Sequence, residues 1–429
     1  MKLWNKGLSI DKKMEQFTVG KDREIDLYIA PYDLQASLAH AKMLAFTQII
    51  SKKELEMLTD GIKTLQQQVK EGTFVIETQF EDVHSKIEFE LVQLYGEAGK
   101  KIHTARSRND QVLVALHLYY KDNLNQISDK IKVLFNTLLK LAEKNKDKLL
   151  PGYTHLQIAM PSSFGLWFSA YAELLIDDLY LIKAALKTVD QNPLGSAAGY
   201  GSSFPIDRNF TTKELNFATL KYNVVAAQMS RGKSERTLSM ALSSVSNTLA
   251  RFAMDICLYM SQNFNFLSLP DALTTGSSIM PHKKNPDVFE LIRAKCNKIQ
   301  STYTEVLLLT NNLPSGYHRD YQLLKETVIF AFEDLKAALD IFNYTIEQVI
   351  VNDVDLNEEK YKYLYTVDNI NTLVENGMSF RAAYKKISDA IAQGTYTPDT
   401  SKKHTHLGSI DNLSLDKIRQ KMKKTLSQF

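Results

Sequence analysis

The sequence predicts an all-α protein dominated by long helices, and three observations carry that expectation. Proline and glycine are both missing from Lys100 to Leu150 and from Tyr317 to Asn376, and Gly232 is the only one of either between Pro205 and Pro270. Apolar residues inside such stretches recur at spacings of three and four, as on one face of a helix. No alternating pattern is long enough for a major sheet. Breaker-free periodic stretches of this length read as long helices.

Taken in order, residues 1–104 alternate helices and turns behind a polar start and read as an N-terminal helical domain. Residues 105–355 read as a central long-helix bundle domain. There Leu124, Ile127, Ile131, Leu134, Leu138 and Leu141 share one face, and Trp167, Ala170, Tyr171, Leu174, Leu175 and Leu179 repeat the pattern. Val288, Leu291, Ile292, Lys295, Ile299 and Tyr303 do so less cleanly. Residues 356–429 form a shorter, more polar C-terminal helical domain ending in the basic stretch Lys417 to Lys424. A helix of roughly 25 residues spans about 40 Å. Several of these rods are apolar on more than one face, as at Val306 to Leu309 and Val328 to Phe332. A rod that is apolar all round must be buried all round, so subunits are expected to share the bundle.

Composition narrows the function. Lys and Arg total 52 against 49 for Asp and Glu, too balanced for a nucleic-acid or polybasic membrane partner. Cys257 and Cys296 are too few for a disulfide scaffold or a cysteine-rich zinc module. No secretory signal or membrane span is visible, which predicts a soluble cytoplasmic protein.

Four polar loops interrupt the helices: HTARSRNDQ (103–111), PGYTHLQIAMP (151–161), TTGSSIMPHKKNPD (274–287) and LPSGYHRDYQLLK (313–325). Binding groups gather in such loops on rigid scaffolds. A hydroxyl beside Gly276 with Lys283 six residues on suits a base and an oxyanion stabiliser, or simply a surface loop before a capped helix. His155, in a loop bounded by glycine and proline, suits an acid near neutral pH or a packing group. Arg106 and Arg108 carry forked donors suited to carboxylates, or form ordinary exposed ion pairs. Tyr317, Gln322 and Lys325 suit a binding edge or a polar helix start. Gly195 to Gly201 has neither the GxGxxG spacing nor a GK[ST] ending, His404 and His406 lack a zinc-site pattern, and no GxSxG occurs.

The segment GSSIMPHKKNPD resembles the signature of the fumarase/aspartase superfamily, all-helical homotetramers that eliminate fumarate from succinyl compounds. HTARSRNDQV, PGYTHLQIAMP and the doubled lysine of KKNPD resemble the argininosuccinate lyases in particular. EDVHS (81–85), LPSGYHRD with Gln322 and Lys325, and the N-terminal Lys2-Leu3-Trp4 agree, in collinear order from about residue 1 to 395. The resemblance implies a long-helix bundle of the fumarase/aspartase type. The implied reaction is the cleavage of argininosuccinate to arginine and fumarate, with no metal or organic cofactor, in a homotetramer whose sites are shared between subunits. It assigns Ser277 as the base and His155 as the acid or proton relay, with Glu290 orienting that histidine. Lys283 and Asn285 hold the carboxylate beside the reacting carbon, and Arg108, Asn109, Thr154, Tyr317, Gln322 and Lys325 match substrate-binding positions. Two places depart from the pattern. Gly20 stands where many members have a serine, and Ser230-Arg231-Gly232-Lys233 stands where they have Ser-Asp/Glu-Arg-Asp, although Ser234 to Arg236 offers a second Ser-Glu-Arg. The tail beyond about residue 395 is shorter than usual. The alternatives are another fumarate-releasing lyase, acting on adenylosuccinate or an aminopolycarboxylate, and a non-catalytic crystallin-like protein.

Overall fold

The computed structural model describes residues 11–427, so Lys2 to Trp4 lie outside the described residues. The fold is mostly helical. Five long helices dominate: Arg108–Lys144, Phe164–Val189, Val224–Tyr259, Asp287–Leu309 and Leu323–Ile346. Among the described residues the strands pair only as two-stranded sheets, led by the hairpin Leu149–Thr154 with Gln157–Ser163. Among the described residues, no helix is long and apolar enough to cross a membrane.

Each long helix contributes residues to both of two compact units. The first comprises the described part of Met1–Ser128 with Leu181–Ser244 and Lys298–Lys336. Its helices start where the sequence supplies caps. Ser51 and Glu54 form a capping box on Lys52–Lys70, and the Asp82 carboxylate accepts the Ser85 amide at the start of Val83–Tyr95. Its core includes Ala36, Ala39, Val114, Leu118, Leu194, Leu215 and Phe217. Tyr119 and Tyr120 pack on Phe332.

The second unit comprises Asp129–Tyr180, Val245–Asn297 and Ala337–Phe429. Tyr171 stacks on Phe252 with ring centroids 3.9 Å apart, and Phe252 meets Phe342, which also meets Phe289. The Asp255 carboxylate accepts from the Tyr171 hydroxyl (2.6 Å) and the Trp167 indole (3.1 Å), so these rings bury without orphaned donors.

The Leu124-to-Leu141 face is buried throughout, as its spacing requires. Elsewhere the structure departs from the periodicity. Ala170, Leu174 and Leu291 are exposed in this chain, the last at 62%. The stretch without breakers from Tyr317 to Asn376 is not one helix. It stops at Ile346, where the Gln348 and Val349 amides turn back onto the Thr345 and Ile346 carbonyls, and Ile350–Val351 then pairs with Leu267–Ser268 as a short strand. The helix Val224–Tyr259 is broken at Arg231 (ψ 131°) and Gly232 (φ 82°). A Cβ on Gly232 would lie 2.7 Å from Thr310 Cγ2, so only glycine fits this bend without displacing its neighbour.

Candidate active site

A cavity of about 130 Å³ in the first unit collects charged side chains from five sequence segments. Lys325 is buried with its ammonium 2.5 Å from Asp26 and 3.0 Å from Asp22. Burial disfavours its charge, but the two carboxylates outweigh that and raise its pKa. Asp22 and Asp26 lie one helical turn apart, so both face one cation. Arg108 opens the Arg108–Lys144 helix. Its Nη1 lies 2.8 Å from Glu81 and 3.2 Å from Asp82, and its Nη2 donates to Ser85 Oγ (2.7 Å). His84 lines the same cavity and is 2.8 Å from Asp33, which also accepts from Gln111. Burial pushes the His84 pKa down, but the Asp33 carboxylate, with Asp82 and Asp26 adding, outweighs it and raises it above the ordinary histidine value.

The loop Leu313 to Lys325 closes another side. Gln322 donates to the carbonyls of Thr18 (2.9 Å) and Val19 (3.1 Å), and Arg319 to that of Thr18 (2.7 Å). These bonds tie down the segment carrying Asp22. Tyr317 is partly exposed at the cavity and packs edge-on to Tyr321. Arg106 is no exposed ion pair: it is buried and donates to Ser37 Oγ. The glycine-rich Gly195 to Gly201 has a structural task. The amides of Gly195 and Ala197 bind the Asp110 carboxylate at 3.0 and 2.9 Å, fixing the start of the Arg108–Lys144 helix.

Lys325→Met is expected to destabilise the fold by roughly 3–5 kcal/mol, because Asp26 would remain buried without its cation. Urea unfolding checks this, and an unchanged midpoint would mean that water or another group neutralises Asp26.

In the second unit, His155 and Leu156 form the two-residue turn of the hairpin, with φ of 54° and 59°. Such turns normally hold glycine or asparagine, since side chains at positive φ cost roughly 1–2 kcal/mol each. The strain projects His155 from the tip, and Leu156 beside it is 73% exposed. The base is firm: Tyr153 packs on Phe264, and a Cβ on Gly152 would strike the Met160 carbonyl at 2.7 Å. Thr154 is exposed at the end of its strand.

The loop after Thr275 is a pinned excursion. Thr275 and Asn285 bridge its neck through backbone bonds of 3.3 and 2.9 Å, and the Asn285 side chain donates to the Gly276 carbonyl (3.3 Å). Thr275 binds Asp287, and Lys284 binds Asp271. Ser277 is half-buried inside the neck, its Oγ accepting from the Ile279 amide (3.4 Å). Lys283 is exposed in the loop, and Glu290 is exposed in the first turn of Asp287–Leu309.

The structure therefore gathers Arg108, Asn109, Tyr317, Gln322 and Lys325 around one cavity, and in the second unit places Thr154 and His155 on the hairpin, Ser277, Lys283 and Asn285 on the loop, and Glu290 on the helix that follows it. Among the described residues, no hydrogen bond or ion pair joins His155 to Ser277 or Glu290. Sequence reasoning missed Asp22, Asp26, His84 and Arg231 as cavity residues or their partners. For Asp22 and Asp26 the available signal was a four-residue spacing of acids. Asp22, not Gly20, is the N-terminal residue in the cavity lining. No cluster of three or more His, Cys, Asp or Glu among the described residues is arranged for a metal.

The mostly helical scaffold carries a cavity of paired cations and carboxylates in its first unit and a pinned Gly-Ser-Ser loop in its second. The family model described as Lyase matches residues 6–301, which makes the chain a lyase. The fold is similar to that of an EDDS lyase in complex with formate (TM-score 0.74, 19% identity, covering 98% of this chain and 92% of that one). It is also similar to a class II fumarase from Schistosoma mansoni (TM-score 0.73, 17% identity, covering 97% and 95%). At the sequence level, the chain is 50% identical over 428 residues to an argininosuccinate lyase of Bacteroides thetaiotaomicron, covering 100% of this chain and 96% of the relative. It is 42% identical over 388 residues to one of Thermotoga neapolitana, covering 90% and 98%. The chain belongs to the argininosuccinate lyase family, whose members are carbon–nitrogen lyases.

Proposed function

We propose that this chain cleaves argininosuccinate to L-arginine and fumarate, in cytoplasmic arginine biosynthesis, as a homotetramer with active sites shared between subunits. The observation that carries this reading is convergence. Arg108, Asn109, Tyr317, Gln322 and Lys325 come from motifs about 200 residues apart and line one cavity of mixed charge. Argininosuccinate has three carboxylates, a guanidinium and an ammonium, so it needs both signs of charge. The three-part organisation of residues 1–104, 105–355 and 356–429 goes with the same reading.

The reaction removes a proton from the carbon beside a carboxylate, forms the C=C bond and breaks the C–N bond. Ser277 takes the proton. The charge that develops on the carboxylate meets Lys283, Asn285 and loop amides, which stabilise it most where water is excluded. His155, oriented by Glu290, gives a proton to the leaving guanidino nitrogen. Thr154 holds substrate beside it. The exposed apolar residues of the long helices, such as Leu291 and Leu308, and Leu156 at the hairpin tip support burial against other subunits. That assembly brings His155 of one chain to Ser277 of another.

Burial pushes the Asp22 carboxyl up to about 6, with Lys325 opposing and Asp26 adding to the rise. Ionised Asp22 attracts the substrate ammonium, so kcat/KM should fall as pH drops through about 6. Asp22→Asn should lose that acid limb and have a lower kcat/KM at pH 8. An identical limb in the variant assigns it to another group. Stability runs the other way. A raised folded pKa favours the fold below the ordinary carboxylate range, and that contribution is lost as pH rises through about 6.

The function is tested by comparing kcat/KM for argininosuccinate and adenylosuccinate. Argininosuccinate should be preferred by at least about 10³, and a preference for adenylosuccinate would overturn the assignment.

A further inference from the structure

The bend at Gly232 leaves a buried arginine at the cavity with an unused donor. Arg231 is 5% exposed and lines the cavity. Its Nη2 donates to the Tyr321 carbonyl (2.7 Å). Its Nε is 3.1 Å from Glu235 Oε1, within ion-pair distance but outside hydrogen-bond geometry. Its Nη1 makes no hydrogen bond with any described residue. A buried donor without a partner is costly, and one that persists calls for a ligand.

The other cations of this lining are already matched or screened. Arg108 faces Glu81 and Asp82, Lys325 faces Asp22 and Asp26, and Arg319 is exposed. Glu235 is shared, since it also accepts from the Gly232 amide (2.6 Å) and the Tyr120 hydroxyl (3.1 Å). Arg231 is therefore the least neutralised buried cation at the cavity. Carboxylates of the same lining, Asp22, Glu81 and Asp82, suit an ammonium. One buried guanidinium donor among acids fits an α-amino acid head group, whose two charges are separated by one carbon.

We propose that Arg231 binds the α-carboxylate of the substrate's amino-acid half through Nη1. This rests on the argininosuccinate reading and adds a recognition residue at a position where the chain departs from its family's usual motif.

The test compares L-arginine with agmatine, which has the same side chain and amine but no carboxylate, by calorimetry on the intact enzyme. The wild type should bind arginine more tightly than agmatine. In Arg231→Met, arginine affinity should fall about 10- to 100-fold and agmatine affinity by less than about 3-fold, which closes the gap. Arg231→Lys should recover part of it. If both ligands weaken equally, or the gap persists, Arg231 does not read the carboxylate. If the variant does not fold, a crystal of the wild type with arginine decides. A carboxylate oxygen within about 3.2 Å of Nη1 supports the proposal, and one farther away overturns it. A folded wild type that binds no arginine would instead defeat the argininosuccinate reading as a whole.

Discussion

Replacing Ser277 by alanine is expected to lower kcat by at least ~10³ while leaving substrate affinity within a few-fold. The reason lies in how the loop is held. Its neck depends on Thr275, Asn285 and Asp287, and the Ser277 hydroxyl contributes only a long bond from the Ile279 amide. Deleting that oxygen leaves the loop's pins intact and, on the proposed mechanism, removes a group that meets substrate only as the proton moves. Serine is a weak base at its ordinary pKa, and no imidazole or carboxylate is bonded to Ser277 among the described residues. On the proposed mechanism, activation would require closure over substrate that brings Lys283 and loop amides near and expels water. Steady-state kinetics with a thermal unfolding control check this. A variant keeping more than about a tenth of wild-type kcat would remove Ser277 from the mechanism.

The second large effect is rescue by mixing. His155→Asn and Ser277→Ala chains should each be nearly inactive. If every site takes its histidine from one chain and its serine from another, equal mixing after dissociation restores both groups in about a quarter of sites. Activity should rise from near zero to roughly 25% of wild type without new covalent chemistry. The strained hairpin gives this expectation its physical basis, because a turn holding His155 and Leu156 at positive φ presents both outward. Activity that stays at the level of the separate variants, with mass evidence for mixed tetramers, would contradict the shared site.

The long helices were legible because spacing and burial obey one rule. Each of the six residues from Leu124 to Leu141 singled out by its spacing is buried. The exceptions have local causes. Nothing in the His155-Leu156 turn advertises a hairpin, since its usual signal is Asn-Gly or Asp-Gly. A lone glycine is tolerated in a helix, so Gly232 did not reveal a bend that depends on Thr310, 78 positions later. The Leu323–Ile346 helix ends without proline or glycine, where the chain turns into a short strand paired with Leu267–Ser268, a partner about 80 positions earlier that no local pattern reveals. In the site, residues inside contiguous motifs could be named from sequence. Their partners could not: Lys325 meets Asp26 across 299 positions, and no local pattern connects them. Arg231 was visible only as a departure from a motif, and its environment supplies the meaning.

That the chain catalyses this one elimination is tested by product stoichiometry at catalytic enzyme concentration. Incubation with argininosuccinate, with fumarate followed by absorbance and arginine by chromatography, should give one fumarate per arginine over many turnovers per site. Absence of turnover by the folded protein, or fumarate formed without arginine, would contradict it.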